Sequence, residues 1–227
     1  EQQAQAGGQV RLAASVPNRA EFGDMIRNQL AECRRLGVTI EYGVGVWPGL
    51  VEEKAPDHVI VATGAEAQRP WWVPGDAEHV CDVRDVLANG ASFGPQTGDS
   101  VVVIDEIGFH HSTSVAELLA DRGCDVEIVT NGMVVGQDLG VTLDMEHWWM
   151  RAHAKGIVQS TDLVPMGMAG RELTLLHHPT GQHVTRDPDW VVLSVPANPV
   201  EWLYHDLQAA GVSVERIGDC VAPRRAH

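Results

Sequence analysis

The chain has no closely spaced cysteine pair. Its four cysteines stand at 33, 81, 124 and 220. None forms a C-x-x-C unit, none falls at zinc-finger spacing, and no compact run could ligate an iron–sulfur cluster. That excludes a disulfide-reductase centre and is read as four reduced, mostly buried thiols in a cytoplasmic protein. Basic residues are also scarce: 16 Lys and Arg face 31 Asp and Glu, a formal net charge of −15. Such a surface repels phosphate backbones, so nucleic acid is not an expected partner. No apolar run approaches the roughly 20 residues that cross a bilayer, so no membrane partner is expected either. Repeats of solenoid type and low-complexity tracts are absent too.

What remains is an ordinary globular composition, 44% apolar and 21% charged, over 227 residues. That is enough for one large domain or two small ones. The apolar spacing of Phe22, Met25, Ile26, Leu30, Cys33 and Leu36 predicts a helix over 21–36, closed by Arg34, Arg35 and Gly37. Val38–Val46 is expected to be a strand, and Val59–Ala62 a second one buried on both faces. Residues 65–99 read as a Pro- and Gly-rich connector with a short helix near 83–87. Val101–Ile104, Ser112–Arg122 and Val126–Val129 then form a β–loop–α–β unit of about 30 residues, the pattern of a right-handed parallel crossover. Further elements are a helix over 143–155, a strand or two over 157–168, a hairpin around Pro179-Thr180-Gly181, a strand over 190–195, a helix near 200–209 and a strand near 214–217.

Two strand ends carry the most information. Asp57-His-Val-Ile-Val-Ala-Thr-Gly64 is an apolar strand breaking at glycine. Arg216-Ile-Gly-Asp219 is another strand end with a carboxylate just past a glycine. The unit between them should carry a dinucleotide cradle, in which glycines let the backbone approach pyrophosphate at a helix N-terminus. Its loop, Asp105-Glu-Ile-Gly-Phe-His-His111, keeps one glycine and places two carboxylates where phosphate would lie. Thr130-Asn131-Gly132, after the next strand, offers neither an acid for a ribose hydroxyl nor an arginine for a 2′-phosphate. The NAD(P) signal is therefore poor.

The pairs His110-His111 and His177-His178 do not chelate readily, because adjacent side chains diverge, and no metal site is expected. Asp138, Asp144 and Glu146 read as a solvated loop and helix start. Trp148-Trp149 reads as core. Trp71-Trp72 lies in the connector and reads either as core or as padding for an interface.

The whole chain resembles the C-terminal region of the trimethylamine dehydrogenase / 2,4-dienoyl-CoA reductase family, Old Yellow Enzyme-like FAD/FMN oxidoreductases, and within it mycofactocin-associated members. The matching words are Gly7-Gly8-Gln9, Val16-Pro17, Phe22, Ala62-Thr63-Gly64-Ala65, Ser114–Ala120 and Ile217-Gly-Asp-Cys-Val-Ala-Pro-Arg224. The resemblance implies an α/β fold of two Rossmann-like, glutathione-reductase-type, three-layer lobes with the flavin-type lobe incomplete. Residues 1–98 would be the partial FAD/ADP-binding lobe, 99–197 an inserted NAD(P)-binding-like lobe with a degenerate glycine loop, and 198–227 the return segment. Both ends are expected to be cut from something longer, since the family's FMN barrel, 4Fe-4S cysteines and first glycine-rich turn have no counterpart here.

By that resemblance, Glu1 would accept from the adenosine ribose, and Gly7, Gly8 and Gln9 would line the cofactor cleft. Val46 would offer backbone atoms near the adenine. Ala62, Thr63 and Gly64 would close the strand crossing the dinucleotide. Gly218 and Asp219 would meet the pyrophosphate–ribityl part of FAD. No catalytic residue is implied in this stretch. Family reductases keep the second glycine fingerprint and take hydride from NADPH. Family amine dehydrogenases have lost it, hold ADP in the flavin-type lobe and pass electrons to a flavoprotein carrier. The loop at 105–111 resembles the second group. The expectation is thus a nucleotide-binding portion passing electrons between an FMN/iron–sulfur barrel and a redox partner, in a homo-oligomeric parent. A non-catalytic docking subunit and a fragment of an NAD(P)H-fed reductase stay open. The isolated chain is expected to expose apolar sheet surface.

Overall fold

The computed structural model describes residues 1–89 and 92–223. Arg224, which closes the Ala-Pro-Arg word, lies outside the described residues. In chain order the first elements are α1 (Gly8–Ala13), α2 (Phe22–Arg35), α3 (Pro48–Lys54), β1 (Val59–Val61), β2 (Ala65–Glu66), β3 (Val80–Asp82) and α4 (Val83–Ala88). The crossover follows as β4 (Ser100–Asp105), α5 (His110–Asp121) and β5 (Asp125–Thr130), and then come α6 (Met145–Ala154) and β6 (Val158–Ser160). The rest is β7 (Leu163–Ala169), β8 (Glu172–His177), β9 (Gln182–Arg186), β10 (Trp190–Ser194), β11 (Asn198–Pro199), α7 (Trp202–Ala209) and β12 (Val214–Arg216), with a 3₁₀ turn at Gly218–Cys220.

These elements divide into two compact units. One takes Glu1–Gly8, Met25–Gln68 and the chain from Pro196 onward; the other takes Gln9–Asp24 and Arg69–Val195. The second unit is built on a five-stranded parallel sheet of order β3-β10-β4-β5-β6. Strand β4 shows why its sequence is an unbroken apolar run. Val101 and Val103 face a core shared with Val115, Ala116 and Leu119 of α5 and with Trp148 and Ala152 of α6. Val102 and Ile104 face the opposite core, with Trp72, Leu163, Leu173 and Leu175. Helices thus cover one side and the antiparallel β7-β8-β9 sheet the other, which buries the parallel strands on both faces. Arg186 of β9 pairs through two nitrogens with Glu127 of β5, which also accepts from Ser160 of β6.

The connector is more structured than its composition suggests. Val80–Asp82 is a fully buried edge strand pairing in parallel with Val191–Leu193. Asp82 then caps α4 in a reciprocal capping box with Asp85. The tryptophan pair splits: Trp72 is core at 5% exposure, and Trp71 points outward at 79%.

The first unit departs from the sequence expectation in two places. Residues 38–46 form no strand; two backbone bonds hold this stretch to the chain start, Gly43 N to Gln3 O and Val44 N to Glu1 O. Strand β1 is buried on one face only. Val61 joins Val51, Leu203, Leu207 and Cys220 in a small core, whereas Ile60 is 59% exposed. Its sheet has two parallel strands, β1 and β12, and α2 has no buried residue despite its apolar stripe. Parallel strands are normally covered on both sides. The isolated chain is therefore expected to self-associate in light scattering, and Ile60→Lys to reduce that association. A monodisperse wild-type monomer would contradict it.

Candidate nucleotide sites

In the first unit, β1 and β12 run parallel with Val59 opposite Val214 and Val61 opposite Arg216. The segments Ala62-Thr63-Gly64 and Gly218-Asp219 consequently leave the sheet at the same, carboxyl end, where open α/β sheets bind ligands. Ile217 N donates to Val61 O at 3.0 Å. The Cys220 thiol, fully buried, donates toward Val61 O and Ile217 O and pins the 3₁₀ turn against the end of β1. On the other flank, the Thr63 hydroxyl donates to Val200 O, and Val200 N donates to Gly64 O. Glu201 and Arg216 form an ion pair, with the Arg216 guanidinium 5.0 Å from the Tyr204 ring centre.

Gly64 and Gly218 hold φ of +77° and +68°, and a Cβ at either position would meet nothing within 4 Å. Backbone conformation selects glycine here, and the space above both strand ends is open to a ligand. Glu1 lies alongside 41–44, and its carboxylate accepts from Gln3 N at 2.9 Å. Val46 follows that stretch and is 41% exposed. Gly7 has φ +114° and Gly8 opens α1. Gln9 belongs to the second unit, where its amide oxygen accepts from Arg84 Nε at 2.8 Å. The fold thus brings Ala62, Thr63, Gly64, Gly218 and Asp219 to one sheet end and sets Glu1 on the stretch leading to Val46.

The second unit has the strand–loop–helix layout of a dinucleotide site, but its own side chains occupy the phosphate position. Asp105, at the end of β4 and fully buried, accepts from the backbone amides of Gly108 at 2.8 Å and Ile107 at 3.2 Å. Those are amides that a pyrophosphate would need. Burial pushes the Asp105 carboxyl up, opposed by hydrogen bonds from Gly108, Ser112 and Ile107, and its Oδ2 is left without a hydrogen bond. At the start of α5, one guanidinium nitrogen of Arg19 lies 2.7 Å from His110 Nδ1 and 2.9 Å from Asp144. Burial first, and then Arg19, lowers His110 to about 4, so its ring is neutral near pH 7. Arg151 joins Glu117 at 3.0 Å and Asp144 at 3.5 Å. Asp144 is therefore a partly buried network member, not the solvated acid that sequence suggested. No residue spacing could have revealed Arg19, which reaches Asp144 from 125 positions away. Asp105-x-x-Gly108 was a usable signal, since aspartate favours turns in which it accepts from nearby amides.

Three of the four thiols are buried, and burial drives Cys81 up to about 12. No group of three or more His, Cys, Asp or Glu among the described residues is arranged to hold a metal. No helix among them is long and apolar enough to cross a membrane.

A parallel α/β unit carrying an antiparallel layer, inserted in sequence into a second unit with a parallel strand pair, defines a Rossmann-type α/β fold. Among known proteins, the chain is 28% identical over 264 residues to N,N-dimethylglycine/sarcosine dehydrogenase of Chromohalobacter salexigens, covering 98% of this chain and 37% of that protein. It is 30% identical over 227 residues to NADH oxidase of Thermoanaerobacter brockii, covering 94% of this chain and 32% of that one. The solved structure of 6-hydroxypseudooxynicotine amine oxidase from Pseudomonas geniculata N1 superposes with a TM-score of 0.89 at 27% identity, covering 98% of this chain and 35% of that one. No family model matches the sequence. These matches fit a C-terminal portion of the Old Yellow Enzyme-like flavin oxidoreductases. The chain spans about a third of the length of the relatives it matches.

Proposed function

We infer that this chain is the adenine-nucleotide-holding part of a flavin-dependent dehydrogenase, with FAD or ADP seated at the carboxyl end of β1 and β12. Electrons would pass from an FMN- and iron–sulfur-bearing barrel elsewhere in the enzyme to a carrier flavoprotein or small redox cofactor. One observation carries the choice of a dehydrogenase over an NAD(P)H-fed reductase. The amides of Ile107 and Gly108 are already taken by Asp105, and Arg19, His110 and Asp144 fill the start of α5. A nicotinamide dinucleotide would have to displace a buried carboxyl and an ion pair to reach that helix. The residues of the second unit therefore do not fit NAD(P).

The first unit offers what an adenine nucleotide diphosphate needs, two glycine-broken strand ends side by side with open space above them, and the Asp219 carboxylate suits a sugar or ribityl hydroxyl. Names of two relatives, an N-methylated amino acid dehydrogenase and an amine oxidase, agree with amine oxidation by the whole enzyme. The third relative is named for NADH, so the acceptor side must be tested directly.

The test is to express the full reading frame, denature the pure protein and identify the released nucleotides. FMN with ADP, or FMN with FAD, is expected; absence of any adenine nucleotide overturns the reading. Anaerobic NADH and NADPH are expected to leave the bound flavin oxidised. In the same enzyme, Gly218→Val forces a β-branched residue to φ +68° and should remove the adenine nucleotide while FMN stays bound.

A further inference from the structure

At the amino ends of β3 and β10 the second unit carries a cleft of about 680 Å³, within the usual range for small-ligand sites. This is the opposite edge of the parallel sheet from the loop at 105–111. The cleft is framed by fixed parts. Arg69 donates to the carbonyl oxygens of Pro74 at 2.6 Å and Ala77 at 3.1 Å, which clamps the loop before β3. Val191 N donates to His79 O, which holds His79 against the start of β10. Asp189 is held by Ser100 and Arg171 and so has its charge matched.

Three kinds of group remain. Phe93 and Trp190 pack edge to face, with ring centres 5.7 Å apart and planes at 77°. His79 Nε2 is shut off from solvent and has no hydrogen-bond partner. Asp76 and Glu78 line the cleft and make no ion pair among the described residues. Aromatic faces attract cations, and nearby unpaired carboxylates add to that attraction. A neutral ligand would gain packing alone, and an anionic one would be repelled by the carboxylates. We propose that the cleft bounded by Asp76, Glu78, His79, Phe93 and Trp190 binds a small organic monocation, an ammonium carried on a short apolar body. The apolar body packs on Phe93 and Trp190, and the charge faces Asp76 and Glu78. The site shares no residue with the nucleotide positions and does not depend on the dehydrogenase reading.

The probe is choline, compared with 3,3-dimethylbutan-1-ol, which has the same shape without the charge. Saturation-transfer NMR on the full chain should show saturable choline binding and at least about tenfold weaker binding of the alcohol. Added sodium chloride should weaken choline binding and leave the alcohol unaffected. Asp76→Asn with Glu78→Gln, both exposed positions, should lose choline about tenfold with an unchanged melting temperature. Phe93→Ala, at a position 43% exposed, should do the same. No saturable choline binding, equal binding of the alcohol, or unaltered affinity in both variants would overturn the proposal.

Discussion

Trp148→Ala is expected to cost the second unit about 3–5 kcal/mol, enough to unfold it at modest urea. The side chain is 1% exposed and sits in the helical-side core with Val115, Leu119, Leu139 and Ala152. Its indole Nε1 also donates to Thr113 O at 3.3 Å, so truncation leaves a cavity and removes that hydrogen bond as well. Trp149 is the internal control. It is 38% exposed, and its alanine variant should lose less than about 1 kcal/mol. Urea melts followed by far-UV circular dichroism read both. Equal losses at the two positions would show that the helix does not pack as described.

Asp105→Asn should make the protein more stable near neutral pH. The carboxyl is fully buried and its proton affinity in the folded state lies above that of an ordinary aspartate, chiefly through burial. Below the unfolded pKa both states hold the proton, and the residue contributes no pH dependence. Above it the unfolded chain ionises while the folded one resists, so stability falls as pH rises, by about 1.4 kcal/mol per unit until the folded group also ionises. Asparagine keeps an oxygen for the amides of Ile107 and Gly108 and carries no charge to bury. The difference in melting temperature, variant minus wild type, should be near zero around pH 4, grow as pH rises above it, and level off once the folded carboxyl ionises. A variant no more stable at pH 7 would mean that the carboxylate is paid for by contacts stronger than those of the two amides.

Local signals made much of this fold legible. The runs 101–104, 112–122 and 126–129 announced a crossover because strand and helix periods follow each other directly, and β4, α5 and β5 lie there. Pro179-Thr180-Gly181 marked the β8–β9 hairpin in the same way. What escaped was decided at a distance. Val80–Asp82 is three residues long in a proline-rich stretch, and only pairing with β10 makes it a strand. Residues 38–46 alternate like a strand, but no sheet edge in their unit pairs with them. The convergence of Thr63 with Asp219 was implied by the family resemblance, and the parallel pairing of β1 with β12 brings the two strand ends together. The opposition of Asp105 to phosphate was visible as charge, whereas its capture of the loop amides needed coordinates.

The division of the chain has a genetic consequence. The backbone changes unit after Gly8, Asp24, Gln68 and Val195, so the first unit is three pieces and the second is two. Neither can be subcloned as one uninterrupted stretch, and a single protease nick at any changeover cannot set one free. Grafting either onto another oxidoreductase would mean exchanging several separated exons' worth of sequence at once. Truncation libraries should therefore yield no product that retains one complete unit alone.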